Sequence, residues 1–425
     1  MRNIVVCLVV CLALLILIPP GCLAADNGGL DLKANRLDLN ADRPDLEVLY
    51  DAHRWFELRD SVVKGNAPVF YEGAVACAFN FLSRCEKRLA RVIKSAPHSD
   101  KAVEAHRLLA AAYFRQGKYR KALIHVDALL ALRPEDSDVR DDRPLLAALG
   151  EFADQRVVRR GSMSLEMQDA GLPISINGVP GTYWFDTGAD LSVLSDSDAK
   201  RFGLKVLTAP IQGGDVTGAK FSSRIAVADE VSIGPVRLKH VAFLVFPDDQ
   251  PPFDQSPAGS RGLVGLPVLL ALQRFVWRAD KKFEIGSKSS SGKLSQANLC
   301  FNGHSPVVQI QFENRNLALT LDTGATNTDL NPSFAAQFPE LIRGAAKTES
   351  YKMEGVGGAK NMNAATLPAL HMSIGGFPVV LSPANVLLIQ TTGASSFFYG
   401  NLGIDLLQQA HKTTFDFKAM TLTLE

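Results

Sequence analysis

Asp-Thr-Gly-Ala stands twice in this chain, at Asp186-Thr187-Gly188-Ala189 and at Asp322-Thr323-Gly324-Ala325. Each copy closes a β-rich apolar run, residues 181–185 before the first and 317–321 before the second. A given tetrapeptide arises by chance on the order of 10⁻⁵ per position. Two copies at matching places therefore point to an internal repeat, and the repeat extends well past the motif. Nine residues after each Asp comes a helix start, Ser195-Asp196 and then Asn331-Pro332. Sixteen after each comes Phe202 or Phe338. A Gly-rich turn follows in both copies, residues 213–220 and 355–360, then Ser-Ile-Gly at Ser232-Ile233-Gly234 and Ser373-Ile374-Gly375. Each copy ends in a Gly-flanked apolar segment, Gly262-Leu263-Val264-Gly265 and Gly400-Asn401-Leu402-Gly403. The chain is thus expected to fold as two equivalent β-rich lobes that each contribute one carboxylate.

Two carboxylates facing each other across a two-fold axis cannot both ionise cheaply. Like charge raises one pKa, and the pair shares a proton. The ionised carboxyl can then take a proton from an attacking water, while the protonated one polarises the carbonyl under attack. This chemistry needs neither a metal nor a covalent intermediate. The His residues carry no zinc spacing, and neither Gly-x-Ser-x-Gly nor a phosphate loop is present. No cofactor is expected.

The doubled motif in register resembles the retropepsin branch of the aspartic proteases, and is similar to the bacterial gag-polyprotein-type aspartyl proteases with two fused lobes. The resemblance covers about residues 160–425. It implies an aspartic endopeptidase acting on a peptide or protein substrate, with Asp186 and Asp322 catalytic. Thr187, Gly188, Ala189, Thr323, Gly324 and Ala325 would form the supporting loops, the two Thr bonding across the lobe interface. Gly214 and Gly218 in one Gly-rich turn, and Gly357 and Gly358 in the other, are the flap positions. Asp190 reads either as a substrate-backbone contact or as a solvated capping residue. Ala189 and Ala325 stand where pepsin-like enzymes often carry a hydroxyl. One donor fewer on the carboxylates implies a working pH less acidic than that of pepsin-like enzymes. The late segment departs from two-fold symmetry, with Asp405 in lobe 2 and Pro267 at the same place in lobe 1. Neither Gly-rich turn carries the Tyr of pepsin-like flaps. A protein that keeps the fold only to bind peptides is the rival reading.

The remaining chain organises around these lobes. Residues 1–25 read as a signal peptide, an apolar run over residues 4–18 followed by Pro19-Pro20-Gly21-Cys22-Leu23-Ala24-Ala25. The expected location is exported, periplasmic or extracellular. Lipidation of Cys22 is the alternative that would attach the protein to a membrane. Residues 26–45 form a polar lead. Residues 46–152 show helical periodicity. Ala110, Tyr113, Gly117, Tyr119, Ala122, Val126 and Pro134 fall at tetratricopeptide spacing, and Gly73, Cys85, Leu89 and Pro97 form a weaker copy 37 residues earlier. Such a module binds a protein partner or packs on the protease as a spacer. Residues 140–160 read as a link, 160–286 as lobe 1, 287–297 as a flexible linker and 298–425 as lobe 2. The fold class expected is therefore multidomain α + β, a tetratricopeptide-like helical region before two mainly-β lobes. Cys77 and Cys85 read first as two buried thiols, with a bridge as the alternative if they sit on facing helices. The formal net charge of +1 gives no bulk attraction to nucleic acid.

Overall fold

The structure, a computed structural model, describes residues 45–168, 171–215, 219–251, 253–287, 293–389 and 397–425. The expected leader with Cys22, most of the polar lead, Gly218 and part of the inter-lobe linker lie outside the described residues. Among the described residues seven helices come first: α1 (Leu46–Asp51), α2 (Trp55–Val63), α3 (Val69–Ala78), α4 (Leu82–Ser95), α5 (Asp100–Phe114), α6 (Tyr119–Leu132) and α7 (Ser137–Gly150). Asp45, Ser99 and Asp136 cap α1, α5 and α7, their side chains accepting backbone N–H groups left over at the first turn. Helices α3–α4 and α5–α6 form antiparallel hairpins that fit tetratricopeptide repeats only loosely. Within the first, Gly73 lets α3 approach α4 so closely that a Cβ there would overlap the Leu89 side chain.

Two expectations are corrected here. Cys77 and Cys85 form a disulfide joining α3 to α4. The turn at Asn80 and Phe81 reverses the chain and carries the end of one helix back onto the start of the next. The proposed link over residues 140–160 is largely ordered secondary structure, because α7 continues to Gly150 and residues 156–159 form a strand against Val236–Phe246.

The strands around the two motif loops repeat one another. In lobe 1, Val179–Phe185 runs parallel to Gly262–Val264, which pairs antiparallel with Ser192–Ser195. In lobe 2, Arg315–Leu321 runs parallel to Gly400–Leu402, which pairs antiparallel with Asp329–Leu330. The first lobe forms an eight-stranded sheet and the second a ten-stranded one. A five-stranded sheet joins them. Its strands Met163–Glu166, Arg274–Arg278 and Lys282–Ile285 belong to lobe 1, and Lys412–Asp416 and Thr421–Leu424 to lobe 2. Phe275 sits opposite Phe415 across that junction, the rings stacked 4.6 Å apart. Phe185, which leads into the first Asp-Thr-Gly, packs edge-on to Phe275 and beside Phe283. The core of the junction therefore reaches directly to the motif loops.

The helical region packs on the lobes. The Asn302 Oδ1 accepts from His53 Nδ1 at 2.7 Å and Trp55 Nε1 at 3.0 Å. Buried Arg115 donates to the Gly303 carbonyl at 2.9 Å and lies over the Phe301 ring. Asn80 Nδ2 donates to Phe417 O, and Gln155 Nε2 to Pro267 O, both at 2.9 Å.

Candidate active site

Each motif loop leaves a central strand and is seized by the other lobe. The Thr187 hydroxyl donates to Leu321 O at 2.8 Å and accepts from Thr323 N–H at 3.0 Å. The Thr323 hydroxyl returns both bonds, donating to Phe185 O at 2.9 Å and accepting from Thr187 N–H at 3.0 Å. All four groups are buried, where a satisfied network is rigid and costly to open. The indole N–H of Trp184 adds a further cross-lobe bond to Thr323 O at 2.6 Å. Tyr183, by contrast, is a core residue, its hydroxyl on the buried Asp198 at 2.8 Å.

This grip brings Asp186 and Asp322 together, each almost fully buried. Asp186 Oδ1 accepts from Gly188 N–H at 2.7 Å, while Asp186 Oδ2 is buried with no hydrogen-bond partner. Burial first, and the facing Asp322 carboxyl second, push the Asp186 pKa well above the usual carboxylate range. Asp322 Oδ1 accepts from Gly324 N–H at 2.9 Å and Ala325 N–H at 3.1 Å. A Cβ on Gly324 would overlap the Asp186 carboxyl, so a glycine is needed there for the two loops to meet. Ala189 and Ala325 are buried apolar residues beside the pair.

Behind each loop a hydroxyl takes the N–H of the second Gly of the late segment. Ser192 Oγ accepts from Gly265 and Thr328 Oγ1 from Gly403, both at 3.0 Å. In lobe 2, Asp405 Oδ1 accepts from that Thr328 hydroxyl at 2.6 Å. In lobe 1 the equivalent Pro267 instead gives its carbonyl to Gln155. The asymmetry in the sequence thus marks the lobe on which the segment following the helices docks.

The flap positions are hairpins. Ile211–Gly214 pairs with Lys220–Ile233, and Ala346–Gly355 with Gly358–Leu367. Their tips meet: Asp215 Oδ2 accepts from Gly357 N–H at 2.7 Å, and Asp215 Oδ1 from Ala219 N–H at 3.2 Å. Gly214 pairs with Lys220 at the end of its hairpin, and Gly358 takes a left-handed φ of 129° beside the other tip. The expectation for Asp190 is corrected. The residue is not solvated: its carboxylate is 5 % exposed and lies 3.7 Å from His304 Nδ1, on a ring stacked against Phe114 of α5.

Four participants escaped the sequence reading. Tyr351, on the lobe 2 flap strand, donates to Asp329 Oδ1 at 2.6 Å. Burial raises the Asp329 pKa to about 7 against that hydrogen bond, with Asp405 adding repulsion. Asn401 donates from Nδ2 to Asp322 Oδ2 at 3.1 Å, and Thr320 Oγ1 lies 2.5 Å from Asn401 Oδ1. The available signal for Asn401 was a polar residue in a segment where lobe 1 has Leu263.

Residues 172–268 match the family model described as Aspartyl protease. The crystal structure of a retropepsin-like aspartic protease from Rickettsia conorii is similar, with 18% identity and a TM-score of 0.21, over 27% of this chain and 77% of that one. No curated protein matches the chain.

Proposed function

We propose that this chain, whose first lobe matches the aspartyl protease family, is an exported aspartic endopeptidase with Asp186 and Asp322 as its catalytic pair. The observation that carries the reading is the meeting of two buried carboxyls, one from each Asp-Thr-Gly loop, clamped by reciprocal Thr187 and Thr323 bonds. One proton shared by this pair does both halves of the work. Water gives a proton to the ionised carboxyl as its oxygen bonds to the amide carbon. The protonated carboxyl gives its proton to the carbonyl oxygen, and a gem-diol forms. Return of a proton to the amide nitrogen then lets the C–N bond break, leaving an acid and an amine. The raised pKa of Asp186 supports a working range less acidic than that of pepsin-like enzymes. The Cys77–Cys85 disulfide supports export, since such bonds persist in oxidising compartments.

The test is cleavage of a denatured-protein mixture from pH 3 to 8 by wild type, Asp186→Asn and Asp322→Asn. Loss of at least about 10³-fold in both variants is expected, because neither carboxyl can run the cycle alone. Cleavage surviving in either variant ends the shared-pair reading. No cleavage by the wild type at any pH ends the endopeptidase reading.

A further inference from the structure

Sequence repeat and strand register place Asn401 and Leu263 at the same position. Each is one residue into the short strand that lies parallel to the strand entering its Asp loop, with Leu263 paired to Trp184 and Asn401 to Thr320. Lobe 1 therefore sets an aliphatic side chain where lobe 2 sets an amide. The amide is fixed at both ends. Its Nδ2 lies 3.1 Å from Asp322 Oδ2, and its Oδ1 lies 2.5 Å from the Thr320 hydroxyl.

This orientation has one self-consistent proton arrangement around an ionised Asp322, with the Thr320 hydroxyl donating to the amide oxygen and the amide N–H donating to the carboxylate. The reversed amide would turn Oδ1 on Asp322 Oδ2. That contact is tolerable only if Asp322 carries the proton. The facing carboxyl, Asp186, is the one with an oxygen that accepts no bond, which is where a proton can sit and point across to its partner.

Resting on the dyad proposed above, we infer that Asn401 is a positioning residue that makes the pair unequal: its amide, oriented by Thr320, holds Asp322 as the carboxylate that takes the proton from water and leaves Asp186 as the acid. The division of labour then follows from one amide in one lobe. A hydrogen bond donated to an ionised carboxylate favours that form and lowers the pH at which the pair takes up its second proton. Removing the donor raises it.

The titratable groups around the amide are few. From the opposite lobe comes Asp186. From the adjacent strand Asp329–Leu330 comes Asp329, directly across from Asn401, with the Tyr351 hydroxyl on its carboxyl. Asp405 acts on Asp329 through its charge. Because Asp329 itself titrates near neutral pH, Asp329→Asn is the control that removes its contribution.

The experiment uses the full chain as wild type, Asn401→Leu, which installs the lobe 1 residue, and Thr320→Val, which keeps shape but frees the amide. Two readouts are taken: the pH profile of kcat/KM, and the titration of ¹³Cγ-labelled aspartate by NMR, with Asp322→Asn used to assign the Asp322 signal. In Asn401→Leu the acid limb and the midpoint read at the Asp322 signal should both move up by about one unit, a tenfold loss on the acid side beyond any loss at the plateau. Thr320→Val should move both in the same direction by less, and Asp329→Asn should leave the Asn401→Leu shift in place. A uniform loss of activity at every pH, with both midpoints unmoved, makes Asn401 merely structural and overturns the inference. A downward shift means that the amide faces the other way around a protonated Asp322, and overturns it too. If the wild type cleaves nothing while the Asp322 midpoint still rises in Asn401→Leu, the protease reading fails and the inference about the amide stands.

Discussion

The two oxygens of Asp186 live in different surroundings, and this has a consequence for stability. Oδ1 takes an N–H from Gly188, while Oδ2 is buried without a donor. The folded chain therefore prefers this carboxyl neutral, with its pKa raised above the unfolded value. For a carboxyl raised in this way the sign is fixed: stability is highest below the ordinary carboxylate range and falls as pH climbs towards the raised folded value. Asp186→Asn removes the charge and keeps the shape. Its melting temperature should exceed that of the wild type by about 2–4 °C at pH 7 and converge with it near pH 3, read by calorimetry at both pH values. A gain equally large in acid would mean that the charge is not the cause. Much of this site was legible in the sequence, because Asp-Thr-Gly-Ala concentrates the chemistry in four consecutive residues and repeats it. Asn401 was not legible. Its role depends on a strand 79 residues away in sequence from Asp322 lying parallel to the strand before it, and the repeat showed only that this position was no longer apolar.

At the scale of elements the flaps carry the clearest device. Two Gly-rich hairpins could be read from the repeat, but not that their tips are joined by a carboxylate from one and a backbone N–H from the other. Asp215 is 4 % exposed, and Gly355 and Gly357 leave no room for a Cβ, the first against Asp215 and the second against Ala219. Gln250 Nε2 adds a bond to Val356 O at 2.5 Å. The lobe 2 flap is also tied midway along its first strand by Tyr351 on Asp329, so that strand is held at its tip and at its middle. If these tips cover the bound substrate, as the proposed function requires, losing the Asp215 bonds weakens the closed state rather than the chemistry. Asp215→Ala should then raise KM by about 10-fold, the range of one charge-assisted hydrogen bond, with kcat changed far less. Steady-state kinetics on one peptide checks it. An equal fall in kcat with KM constant would instead assign Asp215 to the chemical step.

For the whole molecule the question is whether the helical region belongs to the working enzyme or is shed from it. Its contacts favour a permanent brace. It reaches lobe 2 through Asn302, Gly303 and Phe417, and its Gly117 carbonyl accepts from the N–H of Gln155, the residue of the following segment that donates to Pro267 O in lobe 1. Burial lowers the Arg115 pKa to about 9, and the guanidinium donates to carbonyls on both sides of the interface, Cys77 in α3 and Gly303 in lobe 2. Burial also lowers the His53 pKa to about 4, so its ring is neutral at working pH and Nδ1 can donate to Asn302. The disulfide locks the α3–α4 hairpin from which Arg115 and Asn80 are supported. None of these contacts was readable from the helical periodicity, which identifies helices but not the surface that they cover, and three cysteines with no framework spacing left the Cys77–Cys85 bridge as only the second reading. Asn302→Ala would strand two donors, His53 Nδ1 and Trp55 Nε1, at a cost of about 1–3 kcal/mol for each buried group left unpaired. A decisive comparison cuts the chain instead, with a specific protease site placed at residues 151–154, between α7 and the first strand of lobe 1. The nicked chain should stay in one peak on gel filtration and keep its activity. Addition of Asn302→Ala together with Arg115→Ala should split that peak and lower activity, because the lobes lose their support. Separation of the nicked wild type with a rise in activity would make the helical region an inhibitory pro-segment, and the brace would be wrong.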